Sequence, residues 1–228
     1  FAVSSSVATH VAIRVGLVCA LAENGVDRAL VTGGDRTRGR ASLGLQSEHQ
    51  VVGLVGRVCR QKGTDTFVDA AIRMSGTLPQ AQFVALGDFE DAELAARLTA
   101  RIHDAGLAAR IQLAGHREDM ADMFAALDVL AAPSRWEGFG LMLVEAMAAG
   151  VPVVASRVGA IPEVLGDAGA YVSPEDPAAL ALVIQSVLHD PQHRASMIAL
   201  GHARAARFDW ARTAARITRS YEELRQTA

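Results

Sequence analysis

From about residue 50 onward, short apolar runs alternate with longer stretches in which apolar residues recur every three or four positions. The short runs are "VVGLVG" (51–56), "AQFVALG" (81–87), "RIQLAG" (110–115), "LDVLAAPS" (127–134), "VPVVAS" (151–156) and "AYVS" (170–173). Each has the length of a strand and little polar alternation, as in strands buried on both faces. Between them lie "TDTFVDAAIRM", "DAELAARLTARIHDAG", "EDMADMFAAL" and "GLMLVEAMAAG", all with helical periodicity. Buried strands alternating with helices predict an α/β fold, a doubly wound parallel sheet covered on both sides. Three further helical segments, "PAALALVIQSVLHD", "PQHRASMIALGHARAARF" and "DWARTAARITRSYEELRQ", follow the last strand as a helical C-terminal tail.

Before residue 50 the pattern weakens. "FAVSSSVATHV" reads as the end of a strand followed by a helix, and "ENGVDRALVTGGDRTRGRASLG" is turn-rich and charged, the composition of a linker. At 228 residues, 50% of them hydrophobic, the chain can bury a large core. The net charge of −3 comes without long charged blocks, so composition gives no case for nucleic acid or an anionic membrane, and a small ligand is the default. No apolar run has transmembrane length. Cys19 and Cys59 stand far apart in apolar surroundings, which predicts buried thiols in a reducing compartment and neither a disulfide nor a zinc site. The chain begins at Phe1, not methionine, and reads as a fragment.

In open parallel sheets, ligands bind at the carboxyl ends of the strands. Two loops at such ends carry chemistry. In "VGRVCRQKGT", Arg57 and Lys62 stand beside Gly56 and Gly63, just before a helix predicted to open near Thr64. Two cations at a helix N-terminus make an anion site. Among the 22 basic residues Lys62 is the only lysine, so a compact ammonium at this one place points to a specific contact. The alternative is a solvated turn with incidental charge. In "WEGFGLMLVEAMAAG" (136–150), Gly138 and Gly140 let backbone approach a ligand, and a helix is predicted to start at Gly140–Leu141. Glu137 then precedes the helix, and Glu145 falls in its second turn among residues that want burial. A buried carboxylate needs donors, and sugar hydroxyls suit two acceptor-only oxygens. Trp136 and Phe139 are expected to join the core.

"PSRWEGFGLMLVEAMAAGVPVVASRVGAIPEV" strongly resembles the E-x7-E region of retaining glycosyltransferases of the GT-B fold, family 4 (glycosyl transferases group 1). "VGRVCRQKGTDTFVDAA" is similar to that family's Gly-Arg/Lys-Gly loop, and "GHREDMADMFAALDVLAAPS" to the segment ahead of the E-x7-E loop. "VSSSVATHV…ENGVD" is similar to its passage from the acceptor half into the donor half. The resemblance implies a Rossmann-like GT-B C-terminal domain over 49–228, which binds the nucleotide-sugar donor. Residues 1–48 would be the end of the acceptor half and the interdomain linker. It implies that Arg57 and Lys62 hold the diphosphate and that Glu137 faces the donor sugar. Backbone of Gly138, Phe139, Gly140 and Leu141 would touch sugar and phosphate, while Glu145 would hold the ribose hydroxyls and the segment Gly115 to Met120 would meet the nucleobase. The donor would be a UDP-, GDP- or ADP-sugar, with no cofactor and no metal, since protein cations stand where magnesium would sit.

The same resemblance implies an acceptor glycan or lipid held by an N-terminal domain that this chain lacks, and so weak or absent catalysis by the chain alone. The full-length protein would be cytoplasmic or peripheral to the inner face of a membrane. Two other readings stand beside this one: a non-catalytic nucleotide-sugar-binding module, and another GT-B enzyme such as a sugar-nucleotide epimerase or a phosphorylase.

Overall fold

A computed structural model describes residues 1–227. The six apolar runs become strands β1 (Gln50–Val55), β2 (Ala81–Leu86), β3 (Ile111–Gly115), β4 (Val129–Ala132), β5 (Val153–Ser156) and β6 (Gly169–Val172). They form one sheet in the order β3-β2-β1-β4-β5-β6, with every neighbouring pair parallel. The order reverses between β1 and β4, where Val52 pairs with Val129 and Gly53 with Leu130. Connections from these two strands leave in opposite directions, which opens a crevice at their carboxyl ends.

Successive strand residues feed two different cores, and for that reason the runs are apolar throughout. Val51, Leu130, Ala132, Val153 and Ala155 face one side, where they meet Met123 and Phe124 of α5 (Met120–Ala126), α6 (Leu141–Ala148) and α7 (Ile161–Leu165). Val52, Leu54, Val129, Ala131 and Val154 face the other, against α3 (Thr64–Ser75), α4 (Ala92–Asp104) and α8 (Pro177–His189). There Phe67 and Phe83 are fully buried and meet edge to face, ring centres 6.5 Å apart. Each such side chain contributes about 1.5–3 kcal/mol of burial.

The tail forms α8, α9 (Pro191–Ala205) and α10 (Trp210–Thr227), as its periodicity predicts. Asp190 ends α8 and caps α9, its carboxylate accepting from the His193 amide at 2.9 Å. At the other end of the chain, α1 (Ser5–Val15) is capped by Ser4 and closed by Gly16. Residues before and after α1 lie along α10: Thr213 Oγ1 donates to the Glu23 carbonyl at 2.6 Å, and the Phe1 and Tyr221 rings lie 6.1 Å apart.

Two helices have no counterpart in the hydrophobic pattern. One is the short α7; the other, α2 (Arg36–Ser42), lies within the turn-rich charged stretch. Its sequence "RTRGRAS" has no apolar stripe, and charge holds it instead. Arg40, only 3% exposed, donates to Asp128 Oδ2 at 2.9 Å and to the carbonyls of Gln46 and Ser47. Arg38 pairs with the carboxylate of Asp122 on α5. The cysteines divide: Cys59 is buried as expected, whereas Cys19 is only half-buried. Its segment follows α1 across the surface beside Leu17 and Val18, both exposed.

Candidate functional site

β1 ends at Val55 and β4 at Ala132, side by side, so the loops 56–63 and 133–140 meet at the crevice. Their closest approach is backbone on backbone. Gly63 has φ +69°, and any Cβ there would collide with the carbonyl of Pro133. Gly140, with φ +87°, turns the second loop into α6 and leaves its N-terminus without a capping side chain. The first amides of α6, and the positive end of its dipole, therefore remain available to an anion.

A groove of about 550 Å³ opens at this point. Gly56 and Lys62 line it from the first loop, Trp136 to Met142 and Glu145 from the second loop and α6, and Val3 and Asn24 from the N-terminal segment. The structure thus brings together Lys62, Glu137, Gly138, Phe139, Gly140, Leu141 and Glu145. Lys62 Nζ donates to Glu137 Oε2 at 2.6 Å, with side chains only 14% and 10% exposed. Seventy-five positions separate the two in sequence.

Glu145 is the opposite case. Its carboxylate has no hydrogen-bond or ionic partner among the described residues, and burial pushes its pKa above the ordinary carboxylate value. A carboxylate without a protein partner on the groove wall leaves both oxygens free to accept from a ligand's donors.

Arg57 stands apart. Its guanidinium is half exposed, ion-paired with Glu90, and outside the groove lining. The segment Gly115 to Met120 runs from the end of β3 to the start of α5 and does not line the groove either; there Arg117 pairs with Asp119, and His116 lies 3.3 Å from Asp88. Of the two loop aromatics, Phe139 is buried and packs edge-on against Phe208 at 5.5 Å, as expected. Trp136 is not in the core: it is 51% exposed. Gln61 Nε2 donates to its carbonyl at 3.3 Å, and Gly138 leaves the ring room along the groove.

Several residues at the site carry no signal in the sequence pattern. Arg135 donates to Asp65 and Glu175 and bridges the two loops. Ser4 Oγ donates to the Gly138 carbonyl at 2.7 Å, and the Glu163 carboxylate accepts from the Ser5 amide at 2.9 and 3.0 Å. These contacts reach across 40 to 158 positions, which local spacing does not reveal. Among the described residues no cluster of three or more His, Cys, Asp or Glu is arranged to hold a metal ion, and no helix is long and apolar enough to cross a membrane.

Chemically, the groove combines a cation, an uncapped helix N-terminus, close backbone approach and two carboxylates. That set suits a ligand with both phosphate and hydroxyl groups.

Residues 49–190 match the family model described as glycosyl transferases group 1. The lipopolysaccharide core biosynthesis mannosyltransferase LpsB of Rhizobium meliloti (strain 1021) is 38% identical over 197 residues, covering 83% of this chain and 56% of that protein. A D-inositol 3-phosphate glycosyltransferase of Segniliparus rotundus is 33% identical over 202 residues, covering 86% of this chain and 45% of that protein. The chain therefore spans about half the length of the curated relatives it matches. Among solved structures, Anabaena HepE in complex with UDP-glucose superposes with a TM-score of 0.89 at 28% identity, over 97% of this chain and 63% of that one. A sucrose-phosphate synthase from Thermosynechococcus elongatus does so with a TM-score of 0.84 at 27% identity, over 100% and 58%.

Proposed function

The chain belongs to the glycosyl transferases group 1, and from that membership we propose that residues 49–228 are the donor-binding half of a retaining, family 4 enzyme that transfers a sugar from a nucleotide-diphosphate sugar to an acceptor. In this reading residues 1–48 are the end of the acceptor half and the linker. One observation carries it: a lysine–glutamate pair stands in front of an uncapped helix, in the same groove as a carboxylate that has no partner.

Lys62 and the α6 amides receive the diphosphate. As the anomeric C–O bond breaks, its electron pair leaves on the phosphate oxygen, and the developing charge meets a cation and a dipole already in place. The acceptor oxygen then bonds to the anomeric carbon on the same face, and its proton passes to the departing phosphate oxygen. Glu137, anchored by Lys62, accepts from hydroxyls of the transferred sugar, while backbone from Gly138 to Leu141 approaches sugar and phosphate. Glu145, one turn further along α6, accepts from the ribose hydroxyls. Arg57 serves from the rim: its exposed pair with Glu90 is worth about 0–1 kcal/mol, little enough for the guanidinium to swing onto a diphosphate. No metal is needed where protein cations hold the diphosphate, and the thiols Cys19 and Cys59 fit a cytoplasmic setting.

HepE, the structural neighbour, is described in complex with UDP and with UDP-glucose, so uridine nucleotides are the first donors to try, followed by GDP- and ADP-sugars. Calorimetric titration with each nucleoside diphosphate tests the site, beside a product assay with each sugar and a glycan or lipid acceptor. Binding of a nucleoside diphosphate tenfold or more tighter than its nucleoside is expected, roughly the worth of one charge-assisted contact. Absence of any such preference would remove the donor-site reading.

A further inference from the structure

We propose that Arg135 is a positioning residue for the donor site: it clamps the loop after β1 to the loop after β4 and thereby sets the spacing of Lys62 and Glu137. The inference rests on reading that pair as part of the donor site, and neither Arg135 nor any of its partners lines the groove.

The two functional side chains sit on different loops, and each is flanked by a tie between those loops. On one side, the Arg135 amide donates to the Gln61 carbonyl at 2.8 Å, immediately before Lys62. Gly63, immediately after Lys62, is pressed against the Pro133 carbonyl. The Arg135 guanidinium completes the clamp. Its Nη1 donates to the Arg60 carbonyl at 2.6 Å and to Asp65 Oδ1 at 2.8 Å, its Nη2 to Asp65 Oδ2 at 3.0 Å, and its Nε to Glu175 Oε1 at 2.6 Å. One planar fork thus holds the turn that carries Lys62, the first turn of α3 and the loop after β6. Glu137 follows Arg135 by two residues, so the same anchor fixes the acid.

Three further facts show that the contact is built and not incidental. The Arg135 side chain is 22% exposed and that of Asp65 25%, so neither has simply settled on the surface. Glu175 has φ +57°, the only non-glycine residue with positive φ among the described residues, a costly conformation that its pairing with Arg135 accompanies. Burial works to raise the Asp65 carboxyl, yet the Arg135 hydrogen bond and charge hold it below its ordinary value. A lysine would not substitute, because a point charge cannot reach two carboxylates and a carbonyl in one plane.

Lys62 is the chain's only lysine, so it supplies its own probe. Limited acetylation with an N-hydroxysuccinimide ester, read by mass spectrometry, gives the rate at Lys62 relative to the Phe1 amine. In the unaltered protein Lys62 is protected by Glu137 and by low exposure. Arg135→Met, which keeps the stem and loses every donor, is expected to raise that ratio roughly threefold or more and to weaken UDP binding by a similar factor, with uridine affinity unchanged. Arg135→Lys, with acetylation read on the peptide that carries Lys62 and not on the one that carries the added lysine, should behave alike, which a need for charge alone does not predict. If Arg135→Met fails to fold, Arg135→Lys and Asp65→Asn carry the same expectation. An unchanged ratio in the folded variants overturns the clamp, whatever UDP does. Failure of the unaltered protein to bind UDP, GDP or ADP would instead remove the donor reading, and the acetylation ratio would still decide the clamp.

Discussion

Glu145 offers a test in which stability and binding should move in opposite directions. Its carboxylate is desolvated in the second turn of α6 with no partner, and its pKa is raised for that reason alone. Glu145→Gln keeps the shape and removes the charge. The amide is neutral and escapes the desolvation that the charged carboxylate suffers, so the substitution should stabilise the protein by about 1 kcal/mol at neutral pH, the low end of the cost of a poorly solvated polar group. For a domain of this size that is a rise of roughly 2–4 °C in Tm. The gain has a defined pH dependence. A carboxyl with a raised folded-state pKa binds its proton more tightly in the folded protein, so stability is greatest below the ordinary value of 4.5 and falls as pH rises from there through the raised one. The advantage of Glu145→Gln should therefore vanish in acid and be complete above the raised value.

Binding should respond in the reverse sense. Two ribose hydroxyls that donate to a charged acceptor would lose about 1.5–3 kcal/mol in the mutant, an order of magnitude or more in Kd, whereas a 2′,3′-dideoxynucleotide should lose almost nothing. Differential scanning calorimetry from pH 4 upward and titration with UDP and its dideoxy analogue would measure both halves. A lowered Tm at neutral pH, or equal losses for the two nucleotides, would refute the reasoning and return Glu145 to the scaffold.

The remaining expectations are simpler. Lys62→Met should weaken nucleoside diphosphates by about 1–3 kcal/mol with nucleosides little changed, and it should also destabilise the fold, since Glu137 then loses its partner; adding Glu137→Gln should recover most of that loss in a double-mutant cycle. Gly63→Ala, at positive φ and against Pro133, should cost more than about 1 kcal/mol in urea unfolding and weaken UDP in parallel. Leu143→Ala, fully buried in α6, should cost about 2–5 kcal/mol and is the control for a packing loss without a direct ligand contact. The chain alone should bind a nucleoside diphosphate without appreciable sugar transfer, because holding an acceptor about 3–3.5 Å from the anomeric carbon needs a second wall to the cleft; acceptor-dependent turnover by these residues alone would contradict that.

The sheet was legible because strands covered on both faces must be apolar along their whole length, and runs such as "AQFVAL" admit little else. The start of α6 was legible for a similar reason: Gly140 followed by an apolar stretch is a local signal. α2 was not, because what holds it is Arg40 reaching Asp128, a contact across 88 positions. The site divides in the same way. That Lys62 and Glu137 belong near one another follows from strand ends in a doubly wound sheet, but that they touch depends on the loops' approach at Gly63 and Pro133. Trp136 is not in the core, where its residue type predicts it, because type predicts burial only on average, whereas the loop that carries this residue lies at the groove's edge. Arg135 reads in the sequence as one more surface arginine.

The wall of the groove formed by Val3 and Asn24 comes from the chain's beginning, and its attachments all reach far along the sequence: Ser4 to Gly138, Ser5 to Glu163, Glu23 to Thr213. α1 contributes no fully buried residue. Contacts that close such long loops add little until the rest of the fold exists, so this layer is expected to dock last and detach first. Amide protons of α1 should accordingly exchange with solvent far sooner than those of β1 and β4, whose exchange waits on global unfolding. Faster exchange in α1 would show that the groove's two sides differ in stability, the phosphate end carried by the sheet and the wall of Val3 and Asn24 by a layer that loosens first.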